Sequence, residues 1–156
     1  MKKLLPVFVL TLLTTVASAQ IYRAAIGNTR FEDALNARFC RGLFQSTHGT
    51  IIDIQSQVSV NGHLNILNWL QGRIAGLQIY NNRAGVPFAV IRGGVPAIFI
   101  DEMPVDYSAL NSLPVNDIAM IKVIKTPFLG GPNGGHGAVA VYTRRGDEFD
   151  TGDDTE

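Results

Sequence analysis

The residues of this chain best suited to chemistry are three histidines, His48, His63 and His136, the single Cys40, and the carboxylates Asp101, Glu102 and Asp106. Metal sites need ligands that converge, typically two His one helical turn apart, and no His pair stands at i, i+4 here. The histidines therefore read as three separate surface or loop residues. Asp101 and Glu102 adjoin at an expected strand end, where successive side chains point to opposite faces, so they are poorly placed to share one reacting group. Cys40 lacks a local catalytic signature and reads as a small apolar residue on a helix. A hydrolase built on Ser108, Asp101 or His136 has no spacing signature in its favour. The glycines at 130, 131, 134, 135 and 137 invite comparison with a phosphate-binding loop. They lack the Gly-Lys-Ser/Thr ending, and they precede a strand where such a loop precedes a helix. The sequence thus offers no catalytic, cofactor-binding or metal-ligating set, and the expectation is a protein that is not an enzyme.

The ends of the chain carry addresses more than structure. Met1-Lys2-Lys3, an apolar run over 4–16 and Ala17-Ser18-Ala19 before Gln20 form the pattern of a bacterial secretory signal peptide, too short for a typical membrane span. The expected organisation is a signal peptide at 1–19, an N-terminal segment at 20–60, a main domain at 61–146 and an acidic disordered tail at 147–156. Of the 13 Lys and Arg, Lys2 and Lys3 leave with the leader, so 11 basic face 13 acidic residues in the exported chain. Six of those acids lie in the tail, which has Phe149 as its one large apolar residue and nothing to bury. The remaining body is moderately basic without interleaved aromatic residues, which argues against nucleic acid. One Cys excludes an internal disulfide framework. No transmembrane span is visible after Gln20.

The elements that must position these residues follow from hydrophobic spacing. Phe31, Leu35, Phe39 and Leu43 predict a helix near 30–44, with Glu32 and Asp33 in its first turn, where the helix dipole favours acids. Alternation predicts a strand over 51–60, with Ile52, Ile54, Val58 and Val60 on one face. Leu64, Leu67, Leu70, Ile74 and Leu77 step by three and four along one helical stripe, with Trp69 at its edge and Gly76 placed to end it. A short strand over 77–80 and a turn through 81–85 come next. Segments 88–92 and 97–101 then read as a β-hairpin closed by Gly93-Gly94. Ser108 can cap a brief helix reaching Leu113. The stretch 118–146 is the most legible: two β-branched strands joined by a loop over 126–137, whose glycines imply selection for backbone path. Arg92, Lys122, Lys125, Arg144 and Arg145 read as solvated groups on strands or at strand ends. Short strands mixed with two or three helices predict an α+β domain with a small mixed β-sheet.

Five segments in order carry a family resemblance: Leu-Gln-Gly-Arg-Ile-Ala-Gly-Leu-Gln-Ile (70–79), Val-Ile-Arg-Gly-Gly (90–94), Ile-Phe-Ile-Asp-Glu-Met-Pro-Val-Asp (98–106), Leu-Pro-Val-Asn-Asp-Ile-Ala-Met-Ile-Lys-Val-Ile-Lys (113–125) and Gly-Ala-Val-Ala-Val-Tyr-Thr-Arg-Arg-Gly (137–146). The succession resembles the plug domain of TonB-dependent outer-membrane receptors, especially the importers of Bacteroidota. It covers about half of the chain, 67–146. The resemblance implies a small α+β domain that, in complete receptors, sits in a 22-stranded barrel, closes its pore and helps form the substrate site. In that pattern Asp101 and Pro104 mark a strand end and its turn. About ten residues per membrane strand make roughly 220 for such a barrel, more than this sequence supplies, so the plug is expected to stand alone. No short apolar coupling motif is evident near Gln20.

The functional expectation is an exported, non-enzymatic plug-like binding module of the periplasm or outer membrane, with no cofactor. Its implied partner is an outer-membrane barrel or another envelope protein, or else a small ligand. The alternative is a structural, stand-alone relic of a receptor. Candidate contact residues are Arg92, Gly93, Gly94, Gly130, Gly131, Asn133, Gly134, Gly135, His136 and Arg144.

Overall fold

The computed structural model describes residues 30–144. The expected signal peptide and acidic tail, and Arg145, lie outside the described residues. The chain divides into two units, Met1–Ala34 and Leu35–Glu156. Of the first, only 30–34 are described, and they are helical. The second holds the sheets and their cores.

The centre of this second unit is a five-stranded sheet in the order β1-β6-β7-β4-β5. Its strands are β1 (Thr50–Asp53), β4 (Ala97–Ile100), β5 (Met103–Val105), β6 (Ile118–Ile124) and β7 (Ala138–Thr143). All neighbours run antiparallel except β4 and β7, which are parallel, so the sheet is mixed. A separate antiparallel pair is formed by β2 (Leu77–Asn81) and β3 (Pro87–Ile91). Helices are short: α1 over 30–39, α2 (Gly42–Ser46), α3 (Ile66–Leu70) and α4 (Tyr107–Ser112). This is the α+β architecture with a small mixed sheet that the residue patterns predict.

Every residue of β6 is buried, and β7 is buried through Tyr142, because both strands are central and both faces of the sheet are covered. On one face Ile98, Ile121, Val123, Val139 and Val141 pack with residues of α3, α4 and the β2–β3 pair, Trp69 among them. On the other, Phe99, Met120, Ile124, Ala138, Ala140 and Tyr142 pack with Phe39, Cys40 and Phe44 beside α2, and with Phe128. The period of two along each strand assigns the faces. A register shift between Ile118 and Met120 interrupts it once.

The sheet's two edges differ. The N–H groups of Ala97 and Asp101 point to β7, donating to the carbonyls of Gly137 and Val141, so Ile98 and Ile100 face β5. Pro104, paired with Phe99, then turns its nitrogen outward, where it has no hydrogen to give. The β5 edge thus presents no donor to another strand; β1 forms the other edge.

Local structure departs from the periodicity reading in five places. The helix expected near 30–44 breaks at Cys40-Arg41, where Arg41 is extended and Gly42, the first residue of α2, takes φ +51°. The strand expected over 51–60 stops at Asp53. There the carboxylate accepts from the Gln55 N–H (3.0 Å) and the carbonyl from Ser56 Oγ (3.2 Å), which turns the chain into a 3-10 turn, Val58–Gly62. Ile54 and Val60 are buried even so, while Val58 is 84% exposed. The stripe from Leu64 to Leu77 is helical only over α3, which Asn65 caps by accepting from the Leu67 N–H (2.8 Å). Gly72 and Gly76, at φ +75° and +82°, carry the remainder in turns, and Leu64 is exposed while Trp69 is buried. The expected hairpin of 88–92 with 97–101 does not form. Arg92 and Gly93 close a tight turn with one bridge, Ile91 to Gly94, and the chain then passes Pro96 into the other sheet. Finally, Ser108 lies inside α4, whose N-cap is Asp106.

Candidate functional site

The loop after β6 is anchored by its own aromatic residue. Phe128 folds back beneath the chain, buried, with its ring 4.7 Å from that of Phe44 and 5.5 Å from that of Phe99. Its N–H donates to the Gly134 carbonyl (2.7 Å), and the Gly137 N–H returns to the same oxygen (3.0 Å). A methyl group on Gly134 would overlap the Phe128 carbonyl oxygen. One on Gly137, at φ +97°, would overlap the Ile124 carbonyl oxygen. These two glycines therefore permit the chain's own backbone to close on itself. The loop delivers the chain into β7 through a three-residue 3-10 turn, Gly134–His136, a geometry unlike a phosphate loop leading into a helix.

The loop end of the sheet gathers most of the candidate contact residues. The His136 ring lies against Gly94 so closely that a side chain on Gly94 would have to displace it, which joins the Arg92-Gly93-Gly94 turn to the Gly-rich loop. Arg92, Gly93, Gly130, Asn133, Gly135 and His136 are exposed there; Gly94 and Gly131 are half-buried, and Gly134 is buried. Arg144 stands apart, at the far end of β7, about 20 Å away at strand rise, with its N–H donating to the Asp117 carbonyl (2.8 Å).

Beside the loop end runs an open cleft of about 340 Å³ between the β4–β5 pair and the loop. Pro96, Pro104 and Pro132 form much of its wall, with Ala97, Ile98 and Val105, and its polar groups come from Asp106, Tyr107 and Asn133. The Tyr107 hydroxyl is engaged, donating to the Ala89 carbonyl (3.2 Å), and burial pushes its pKa up to about 12. Asp106 caps α4 by position only: its carboxylate accepts no capping hydrogen bond.

The carboxylates next to the cleft hold the fold. Asp101 and Glu102 form the β4–β5 turn, both at positive φ (+48° and +68°), a conformation that L-residues adopt at a cost. Side-chain bonds fix it. Asp101 accepts from the Thr143 N–H (2.9 Å) and Oγ1 (2.7 Å), and Glu102 accepts from the Arg41 N–H (2.6 Å) and the Tyr142 hydroxyl (3.4 Å). The pair is therefore the turn that follows the strand end, with both carboxylates reaching β7 and Glu102 also the segment before α2.

Lys122 corrects the reading of the basic residues as solvated groups. It is 1% exposed, in the middle of β6. Its stem crosses Gly49, whose absent side chain leaves the space, and its Nζ donates to Asn36 Oδ1 (2.7 Å) and to the Phe44 carbonyl (2.5 Å). Burial lowers the amine's pKa, with the nearby Cys40 thiol opposing the shift. Burial likewise pushes the Cys40 thiol and the Tyr142 phenol up. The signal was present: Lys122 alternates with Met120 and Ile124 on a strand otherwise wholly apolar, and a lysine there has nowhere to go but inward.

Among the described residues, no three His, Cys, Asp or Glu side chains gather where they could hold a metal ion. Ser108, His136 and Asp101 are each occupied elsewhere: Ser108 is exposed on α4, His136 packs on Gly94, and Asp101 binds Thr143. Nor is any described helix long and apolar enough to cross a membrane.

A mixed sheet covered on both faces by short helices and a strand pair, with a glycine-bearing loop folded over one end, is the plug-like fold of TonB-dependent receptors. Solved structures that share it include the RagAB peptide importer in its closed-closed state, at 20% identity over 64% of this chain and 12% of that one, with a TM-score of 0.53. The ferric enterobactin receptor PfeA of Pseudomonas aeruginosa matches at 20% identity over 62% of this chain and 17% of that one, TM-score 0.51. The siderophore receptor PirA of Acinetobacter baumannii matches at 20% identity over 65% and 18%, TM-score 0.52. The chain thus spans less than a fifth of the length of these receptors. It matches no protein-family model and no curated protein sequence.

Proposed function

We propose that this chain is an exported, non-enzymatic module of the cell envelope that works as a plug, seating its loop end against the wall of an outer-membrane barrel. In this reading residues 1–19 direct export, the domain through 146 is the plug, and the acidic tail at 147–156 stays in solvent. The observation that carries it is the fold likeness to importers and receptors over 64% of the chain. Two features support it. The Arg92-Gly93-Gly94 turn and the Gly-rich loop are held together as one surface by the Gly94–His136 contact. Exposed polar groups sit on that surface, suited to a wet lumen, while the loop's aromatic residue is turned inward.

The test is site-specific photocrosslinking in envelope preparations, with the crosslinker at Asn133 or His136 and, as the distant control, at Arg144. Adducts from 133 and 136 that mass spectrometry identifies as an outer-membrane β-barrel, with few or none from 144, are expected. Adducts from all three positions alike, or none from any, would sink the proposal; the latter is what a relic without a partner predicts.

A further inference from the structure

We infer that the cleft between the β4–β5 pair and the Gly-rich loop is a binding site for an organic cation, a guanidinium or ammonium on an aliphatic stem. The inference goes beyond the plug reading, because it concerns what the domain binds by itself, with or without a barrel.

The cleft's volume, about 340 Å³, is at the lower end of the range for small-ligand sites. Its walls are stiff. Pro96, Pro104 and Pro132 have fixed φ and no rotamers to order, so a ligand entering between them loses little to induced reorganisation. The apolar half of the lining is aliphatic, from Ala97, Ile98, Val105 and the prolines, and the one lining ring, Tyr107, has its hydroxyl committed to Ala89. Such a surface accepts methylene groups, and offers no indole or exposed phenol to select a planar aromatic ligand.

Charge decides the sign of the ligand. Asp106 is the one charged residue lining the cleft, and no Lys, Arg or His among the described residues contributes to it. Its carboxylate makes no capping bond and has no other hydrogen-bond or ionic partner among the described residues, the residue's own bonds being those of its carbonyl, which accepts from the Ala109 and Leu110 N–H groups. This contrasts with Asp101 and Glu102, a few residues away, whose carboxylates accept hydrogen bonds that hold the turn. An unengaged carboxylate at a cleft whose lining is only half polar attracts a cation and repels an anion. Asn133, held at φ +62° on the opposite wall, adds an amide whose oxygen can accept from the same cation.

The experiment titrates the purified chain with N-acetyl-argininamide, and in parallel with the capped glutamine and capped glutamate of similar length, following backbone amide shifts by NMR. Expected are saturable shifts confined to residues around the cleft, Asn133 and Asp106 first, for the arginine derivative, weakening as salt rises. The capped glutamate is expected to give none. Asp106→Asn should weaken binding about three- to five-fold, the scale of a solvent-accessible ion pair. This variant leaves the fold in place, because Asn caps a helix as well as Asp and the carboxylate makes no capping bond to lose. Unchanged amide dispersion confirms that. Absence of saturable shifts at millimolar arginine derivative overturns the inference, as does equal binding of capped glutamate or unaltered affinity in Asp106→Asn. None of these results bears on the crosslinks to a barrel, so either reading can fail alone.

Discussion

Replacing Lys122 by methionine tests the burial of charge at the centre of the sheet. Lys122→Met keeps a stem of similar length and removes the amine, leaving Asn36 Oδ1 and the Phe44 carbonyl without their donor. Each stranded acceptor costs about 1–3 kcal/mol, offset in part because no amine has to be withdrawn from water. Near neutrality the two terms leave the variant within about 2 kcal/mol of the wild type. The pH dependence is more telling. The folded-state pKa of Lys122 lies below its ordinary 10.5, so between the two values the unfolded chain binds the extra proton. Stability therefore rises with pH through that window, by at most about 1.4 kcal/mol per unit, and is lost as pH falls toward the folded value. Cys40 acts in the opposite sense: burial holds its thiol up, so the unfolded chain ionises first and stability falls above 9.0. In the variant the loss of the Lys122 charge, which lowers the thiol's pKa, holds the thiol up further, so this term also moves the difference in favour of the wild type. Urea unfolding of the two, compared at intervals from about pH 7 up to the ordinary lysine value of 10.5, should give a difference in unfolding free energy that grows in favour of the wild type. Parallel curves would refute the reasoning, since they would mean a hydrated, ordinary lysine. Lys122→Ala adds a void under Phe44 and should fall a further 2–5 kcal/mol or so, roughly, below Lys122→Met.

Two further outcomes concern the loop and the turn. Gly134→Ala forces a methyl group into the Phe128 carbonyl and should lower stability by about 3 kcal/mol or more, whereas Gly135→Ala, with open space around it, should change the thermal midpoint little. Asp101→Ala loses both bonds to Thr143 while keeping a side chain at φ +48°, for a loss of about 2–3 kcal/mol by urea titration; Asp101→Asn, which tolerates that φ and keeps an acceptor, should recover roughly half.

The legible parts of the fold were those where one physical signal acted alone. The two central strands read correctly because burial on both faces leaves runs rich in Ile and Val, broken only by Lys122, and the turn expected over 81–85 because the Asn82 side chain accepts from the Ala84 and Val86 N–H groups, a turn its type favours. Where two signals competed, periodicity misled. Alternation through 51–60 was real, and Ile54 and Val60 are buried, but the Asp53 side chain offered the backbone a turn and won. The stripe from Leu64 to Leu77 points inward for most of its length, yet Gly72 and Gly76 carry it in turns after the short α3. Strand partnership was not local information at all: β3 and β4 are joined by a hairpin-like turn, and still pair in different sheets because Pro96 and the parallel register with β7 draw β4 away. At the candidate site, composition exposed the loops but not their contact through Gly94 and His136, which depends on two segments distant in sequence. Lys122 was hidden by its type, since lysine defaults to the surface unless its neighbours are read with it.

Pro104 sets a limit on how this domain can associate with itself. A sheet that grows by adding strands needs a competent edge on each side of every copy, one to receive and one to pass on. In the five-stranded sheet the β5 side has no N–H to offer, so of its two edges only β1 is equipped for such pairing. Two copies meeting through β1 would bury both of their competent edges in the first encounter and present silent ones to a third. Growth through the edges of the five-stranded sheet therefore ends at a pair, stopped by one missing hydrogen.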